Sequence, residues 1–328
     1  MSCLSSKIDF RILFLRNFLG FFFRDLRGSI CFSFLKCFLR VLLAFVVQSF
    51  YFLASKMILR WLGIAGIDLT VNNQVLLIDP CLTRIPFKRL WVGGVQSDHS
   101  LLSSYISRVD HIFVTHAHYD HLLDVPGLAR ATGAQVYGSA NACQLCLLDG
   151  VPPAQVHQVQ PGECLTLGEF TVKVFPAKHR RIPLFNAGRL SSGLIPPFTA
   201  RQYRLDECFS FWVEAEGISI FDNSGSLPEL AEGAAFLCLQ PYHSESYCRQ
   251  LLERVQPKVV FPNHWDDLWT PLTQPARPSF LPPRLAFPPL QRLDLAAFER
   301  RLQRIDPRVR VFVPERMREV PLEALMQV

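Results

Sequence analysis

Residues 115–123 read THAHYDHLL, three histidines and an aspartate within six positions. A single loop histidine is ordinarily a solvated or hydrogen-bonded side chain. Four coordinating groups in one short turn have another use. Imidazole is a common metal ligand and a carboxylate adds a hard oxygen, so a His-x-His-x-Asp-His cluster can face two adjacent cations. In an extended segment His116 and His118 point to one side, because side chains alternate with period two. A turn into a helix directly after them swings Asp120 and His121 toward a second position. The cluster is read as a metal site.

Two cations need more ligands, and candidates stand at the ends of apolar, strand-like runs. His179 follows TVKVFPA, Asp222 ends ISIFD, and His264 follows KVVFPN. Singly, each has an ordinary reading: a loop histidine, a turn aspartate before Asn-Ser-Gly, a histidine beside Trp265. Their shared position at strand C-termini favours one common site. Asp79 closes an earlier strand in the same way.

With these motifs in place, residues 60–270 resemble the metallo-β-lactamase superfamily. The stretch WLGIAGIDL and the lone late His264 look most like the branch containing ascorbate-6-phosphate lactonase and N-acyl phosphatidylethanolamine phospholipase D. The resemblance implies that His116, His118 and His179 hold one metal, that Asp120, His121 and His264 hold the other, that Asp222 bridges both, and that Asp79 supports from behind. One departure stands out. Members of that branch read Gly-Asp-Thr-Gly at the bridge, whereas FDNSG places Phe before the aspartate and an extra residue before the glycine. Diiron electron-transfer relatives place Glu where His118 stands, so zinc is the first choice of metal, with manganese or iron as alternatives.

Two divalent ions flanked by Asp120 and Asp222 leave a positive cavity and lower the pKa of a bound water towards ~7. The expected reaction is metal-hydroxide hydrolysis of an ester, lactone, amide or phosphodiester, of a small molecule or a lipid. Asp120 is placed in the catalytic machinery. His243, in QPYHSES, either donates a proton to the leaving group or caps the helix after it. KHRR (178–181) either grips a phosphate or is a solvated loop. Tyr119, inside the cluster, reads as a packing residue. A tRNA-processing nuclease of the same superfamily is an alternative, but no extended basic or glycine-rich arm is visible. A non-catalytic binding module is another, and the complete ligand set argues against it.

The elements that must carry these residues are short. IDLTV and VLLID flank a hairpin, HIFVT leads into the histidines, and HLLDVPGLARATG has helical spacing closed by glycine. AQVYG, a helix over 140–148, VHQV, and the pair CLTL and FTVKVF follow. After a Pro/Gly-rich stretch come CFSFWVEA and ISIFD, AAFLCLQ, a helix around 247–255, and KVVFP. Strand pairs give way to βα alternation twice, which predicts an α/β fold: a four-layer αββα sandwich. The loops 181–198 and 271–290, rich in proline and apolar residues, read as functional lids or disordered connectors, and their apolar content would suit a substrate tail.

The chain has 328 residues, 49% hydrophobic and 19% charged, which excludes a disordered protein. Its net charge of +6 is concentrated in residues 1–60, so nucleic-acid binding gains little support. Residues 1–56 hold twelve of the 27 phenylalanines and no enzyme motif, and form a segment distinct from a hydrolase domain over 57–328. VLLAFVVQSFYFLA (41–54) is uncharged but shorter than the ~20 residues that span a bilayer. Flanking Lys36, Arg40, Lys56 and Arg60 could snorkel to headgroups. The readings are a short membrane anchor, an interfacial helix, or an upstream extension with Met57 as the native start. Ten cysteines without a repeated framework suit a reducing compartment, and the expected location is cytoplasmic and membrane-associated. CQLC (143–146) reads as two small residues on one helix face.

Overall fold

Residues 57–179, 187–280 and 291–327 are described by the computed structural model. The expected anchor over 1–56, Arg180 and Arg181, and residues 281–290 lie outside them. No helix of the described residues is long and apolar enough to cross a membrane.

Period-two burial explains the architecture. In β3 (Gln74–Ile78), Leu76 and Ile78 face one way into a core shared with the second sheet, while Leu77 faces the other way toward helices. The same alternation recurs in β11 (Phe236–Leu239), where Phe236 and Cys238 point inward and Leu237 and Leu239 outward, and in β12 (Val259–Pro262). A strand buried on both faces reads as a continuous apolar run, which is the appearance of FLCL and VVFP. The result is two sheets packed face to face with helices outside each, the expected αββα sandwich.

The first sheet contains β1 (Ile58–Gly63), β2 (Gly66–Val71), β3, β4 (His111–Phe113), β5 (Gln135–Gly138) and β6 (Val156–Gln158), in that order, with β14 (Glu319–Pro321) added beside β1. The second runs β13 (Arg310–Val311), β12, β11, β10 (Ile218–Asp222), β9 (Cys208–Ala215), β8 (Phe170–Ala177) and β7 (Cys164–Leu167). Each sheet is antiparallel through its early strands and parallel through its late ones, the switch falling at β3–β4 and at β10–β11. The sheets meet through large side chains. Phe113 stacks on Tyr137 at 4.6 Å and meets Phe211 of the facing sheet edge-on at 5.1 Å. Truncating such a residue to alanine costs about 3–5 kcal/mol.

Several local expectations take definite form. The β2–β3 turn uses Asn72 and Asn73, both at positive φ, as a two-residue hairpin requires. The helical run over 121–133 is broken in two, α2 (Tyr119–Leu122) and α3 (Val125–Thr132), with Pro126 in the first turn of the second and Gly133 ending it in the left-handed region. Cys143 and Cys146 are both buried on the helix α4 (Ala140–Leu148). Strand β1, the helix α1 (His99–Tyr105) and everything after residue 290 were not evident in the sequence pattern. Ile58–Gly63 is a paired strand, joined to β2 and to Glu319–Pro321.

Candidate metal centre

Each proposed ligand lies at or beyond the C-terminal end of a strand. Strand β4 delivers His116 and His118, and α2 carries Asp120 and His121 in its single turn. His179 follows β8, Asp222 ends β10, and His264 follows β12. The ligand atoms of His116, His118 and His179 lie within 4.8 Å of one another, and so do those of Asp120, His121 and His264. The two groups adjoin, since the rings of His116 and His121 are 3.9 Å apart. Nε2 of His264 stands 3.4 Å from an Asp120 carboxylate oxygen, and Nε2 of His121 stands 3.7 Å from it.

Supporting contacts fix the rings. Asp79, at φ 46° just after β3, accepts from the Thr115 backbone N–H at 2.7 Å and from the Thr115 hydroxyl, and its Oδ2 lies 2.6 Å from His121 Nδ1. That bond leaves Nε2 of His121 as its ligand atom, which is how a carboxylate behind a ligating histidine sets tautomer and orientation. Thr115 Oγ1 also sits 3.0 Å from His116 Nδ1. Nε2 of His116 is then a buried nitrogen without a hydrogen-bond partner. A polar atom left so is costly unless a cation completes it. One nitrogen-only set and one nitrogen–oxygen set fit divalent zinc-type ions.

Charge within the site is strongly biased. Burial pushes His118 down to about 3, and burial with the neighbouring His121 holds His116 well below the usual imidazole range. Burial opposes charge on His121 too, but Asp79 and Asp120 outweigh it and hold its pKa up, at about 9. Burial would raise Asp120, yet His121 and His264 bring it below the ordinary carboxylate range. Asp222 is pushed well up by burial and then by Asp79, with His121 opposing. Buried neutral imidazoles beside crowded carboxylates form a cavity that cations would relieve. Asp222 belongs to neither three-residue group; its Oδ1 accepts from Asn263 Nδ2 at 3.3 Å.

The last ligand is held by a distant hairpin. His264 sits in the left-handed region at φ 53°, and its backbone N–H donates to the Ile64 carbonyl at 2.9 Å. Asp266 accepts from the Ile64 N–H at 2.7 Å, and Trp61 stacks on Trp265 at 5.0 Å. The stretch WLGIAGIDL and the late histidine, two separate signals in the sequence, are therefore one contact. Tyr242 adds an oxygen 3.3 Å from His264 Nδ1. Thr115 and Asn263 have no sequence signal beyond adjacency to a proposed ligand, and Tyr242 and Asp266 have none.

The glycine displaced in FDNSG has its own reason. Gly225 has φ +102°, and a Cβ there would lie 2.7 Å from the Lys178 carbonyl oxygen. Its own carbonyl accepts from the Lys178 N–H at 2.8 Å, so this turn steadies the residue before His179. Asn223 organises the turn, its Oδ1 accepting from the Ser226 backbone N–H at 2.9 Å and from the Tyr247 hydroxyl at 2.9 Å. His243 stacks on Tyr247 with ring centroids 4.2 Å apart. It does not cap the following helix α5 (Glu245–Val255), because the Ser244 side chain accepts from the Tyr247 N–H there.

Residues 74–219 match the family model described as Beta-lactamase superfamily domain. A UPF0173 metal-dependent hydrolase of Cupriavidus necator is 37% identical over 107 residues, 31% of this chain and 32% of the relative. The chain thus spans about a third of that relative's length. Among solved structures, Igni18, a metallo hydrolase from Ignicoccus hospitalis, superimposes with a TM-score of 0.52 at 17% identity, covering 81% of this chain and 97% of the other. The metallo-beta-lactamase fold protein YhfI of Bacillus subtilis gives 0.50 at 13% identity, covering 81% and 99%. At such identities these two likenesses establish the fold.

Proposed function

We propose that this chain, of the metallo-β-lactamase superfamily by its residues 74–219, is a metal-dependent hydrolase with a dinuclear site. The observation that supports this best is the pair of adjoining three-residue groups, each large enough to hold one ion. Divalent ions there supply Lewis-acid polarisation of a carbonyl or phosphoryl oxygen and lower the pKa of water towards ~7. Zinc is the metal proposed, from the imidazole-rich donors.

The chain's own residues do the rest. His116, His118 and His179 form one donor set, and Asp120, His121 and His264 the other. Asp222, which ends β10, would be the carboxylate shared between the two sets if both were occupied. Asp79 fixes His121 by accepting at Nδ1, and Tyr242 does the same service for His264. His243 is assigned the proton for the leaving group. Its stacking on Tyr247 holds the ring at the start of α5. The bond cleaved is an ester, lactone or phosphodiester, the likeness to the lactonase and phospholipase D branch resting on the stretch WLGIAGIDL and the late His264.

The test is metal analysis of the purified chain beside a panel of esters, lactones and phosphodiesters. Two ions per chain and turnover on one class are expected. One ion or none in an active preparation would sink the dinuclear reading.

A further inference from the structure

Beside the metal ligands lies a pocket of a different character. Phe87, Leu90, Trp91, Leu268 and Trp269 line it, and Tyr119 reaches it from between the ligands His118 and Asp120. Phe87, Trp91 and Trp269 are 57%, 46% and 40% exposed, which is unusual for three large aromatic residues gathered at one place. Phe87 and Trp91 share one short turn, Trp269 comes from the loop after His264, and the three hold one another. The Phe87 ring meets Trp91 edge-on at 6.1 Å and Trp269 at 5.7 Å, while the Arg201 guanidinium lies over Trp91 at 5.5 Å. Leu268 and Trp269 follow His264 by only a few residues, so two walls of the pocket are continuous in chain with metal ligands.

Resting on the hydrolase reading above, we infer that this pocket is the subsite for the apolar arm of the substrate, an aryl group or short alkyl chain whose scissile bond lies at the metal ligands. The volume sets the class. The pocket holds about 200 Å³. An apolar cavity of about 150 Å³ takes up benzene, so one ring or a short chain fills this space and a two-chain lipid does not. Its wall is almost wholly apolar, and Arg201 is the cation among its lining residues. Aromatic walls combine a large contact area with little loss of side-chain freedom on binding.

Two ligand series separate the pocket from the metal centre. Methyl- to decylphosphonate and the matching 1-alkanols are titrated calorimetrically onto the zinc-loaded full chain and onto its Trp91→Ala and Trp269→Ala variants. Both positions are exposed, so the fold is not at stake. Affinity should rise in both series by about fourfold per methylene until the pocket is full, then level off. Each variant should flatten that rise. A flat series in the wild-type chain, or a rise that neither variant alters, would overturn the subsite. If alkanols show the rise but phosphonates bind no tighter than alkanols of equal length, the pocket is separate from any metal centre and its assignment to the substrate is overturned. Phosphonates without a chain-length effect, yet bound only with zinc, would overturn the subsite and leave the metal reading standing.

Discussion

The two halves of the sandwich build the same half-antiparallel, half-parallel sheet, yet they contribute to the site in opposite ways. The first sheet presents the candidate ligands His116, His118, Asp120 and His121 in one run after β4, whereas the second presents His179, Asp222 and His264 singly, at the ends of β8, β10 and β12. A concentrated run is rigid because its neighbours in sequence are neighbours in space. Its ring orientations need few outside contacts, chiefly Asp79 and Thr115. The dispersed ligands depend on long-range braces: Gly225 under Lys178, Asn263 on Asp222, and the Ile64 hairpin on His264. One half should therefore fail by loss of a ligand, and the other also by loss of a brace.

Four substitutions probe that asymmetry, from the largest expected effect to the smallest. His118→Ala removes a nitrogen from the concentrated run without opening the core, so activity should fall by more than the roughly 100-fold that changes behind the ligands cost. Circular dichroism should be unchanged, and turnover near wild type would remove His118 from the site. Asp222→Asn keeps shape but loses charge, and activity should drop on the order of 100-fold while zinc content drops less. Equal turnover in that variant would make Asp222 a turn residue.

Asp79→Asn alters only the support of His121. A loss of about 10- to 100-fold in metal affinity is expected, measured by competition with a chelator, because an amide can present N–H to Nδ1 and favour the wrong tautomer. Unaltered affinity would mean that packing alone orients the ring. Gly225→Ala strains a left-handed position against the Lys178 carbonyl and should cost about 1–3 kcal/mol of stability by denaturant unfolding. A few-fold loss of activity should accompany it through His179. If the dispersed half needs no brace, stability falls and turnover per folded molecule does not.

Legibility in the sequence followed locality. THAHYDHLL was readable because period-two alternation and one helical turn suffice to aim all four side chains. The inner and outer faces of β11 and β12 were not assigned, since FLCL and VVFP are apolar on both sides and carry no alternation. Strand β1 was missed because half of its pairing is with Glu319–Pro321, at the other end of the chain. The α-helix α6 (Leu295–Ile305), begun by the Asp294 cap, lay beyond the last motif and drew no notice. Tyr242 and Asp266 carry no pattern at all; they matter only through what folding places opposite them.

By itself the sequence determined which side chains are available as ligands and that they sit at strand ends, because strand periodicity and residue chemistry are local properties. Only the tertiary structure decided how those ligands divide into two groups, and which residues hold them. It also gathered Phe87, Trp91 and Trp269 beside Tyr119 into a pocket. The reason is physical. A hydrogen bond from His264 to Ile64, or an aromatic contact from Phe87 to Trp269, joins residues some two hundred positions apart, and burial of the two-sheet core is what brings such residues together.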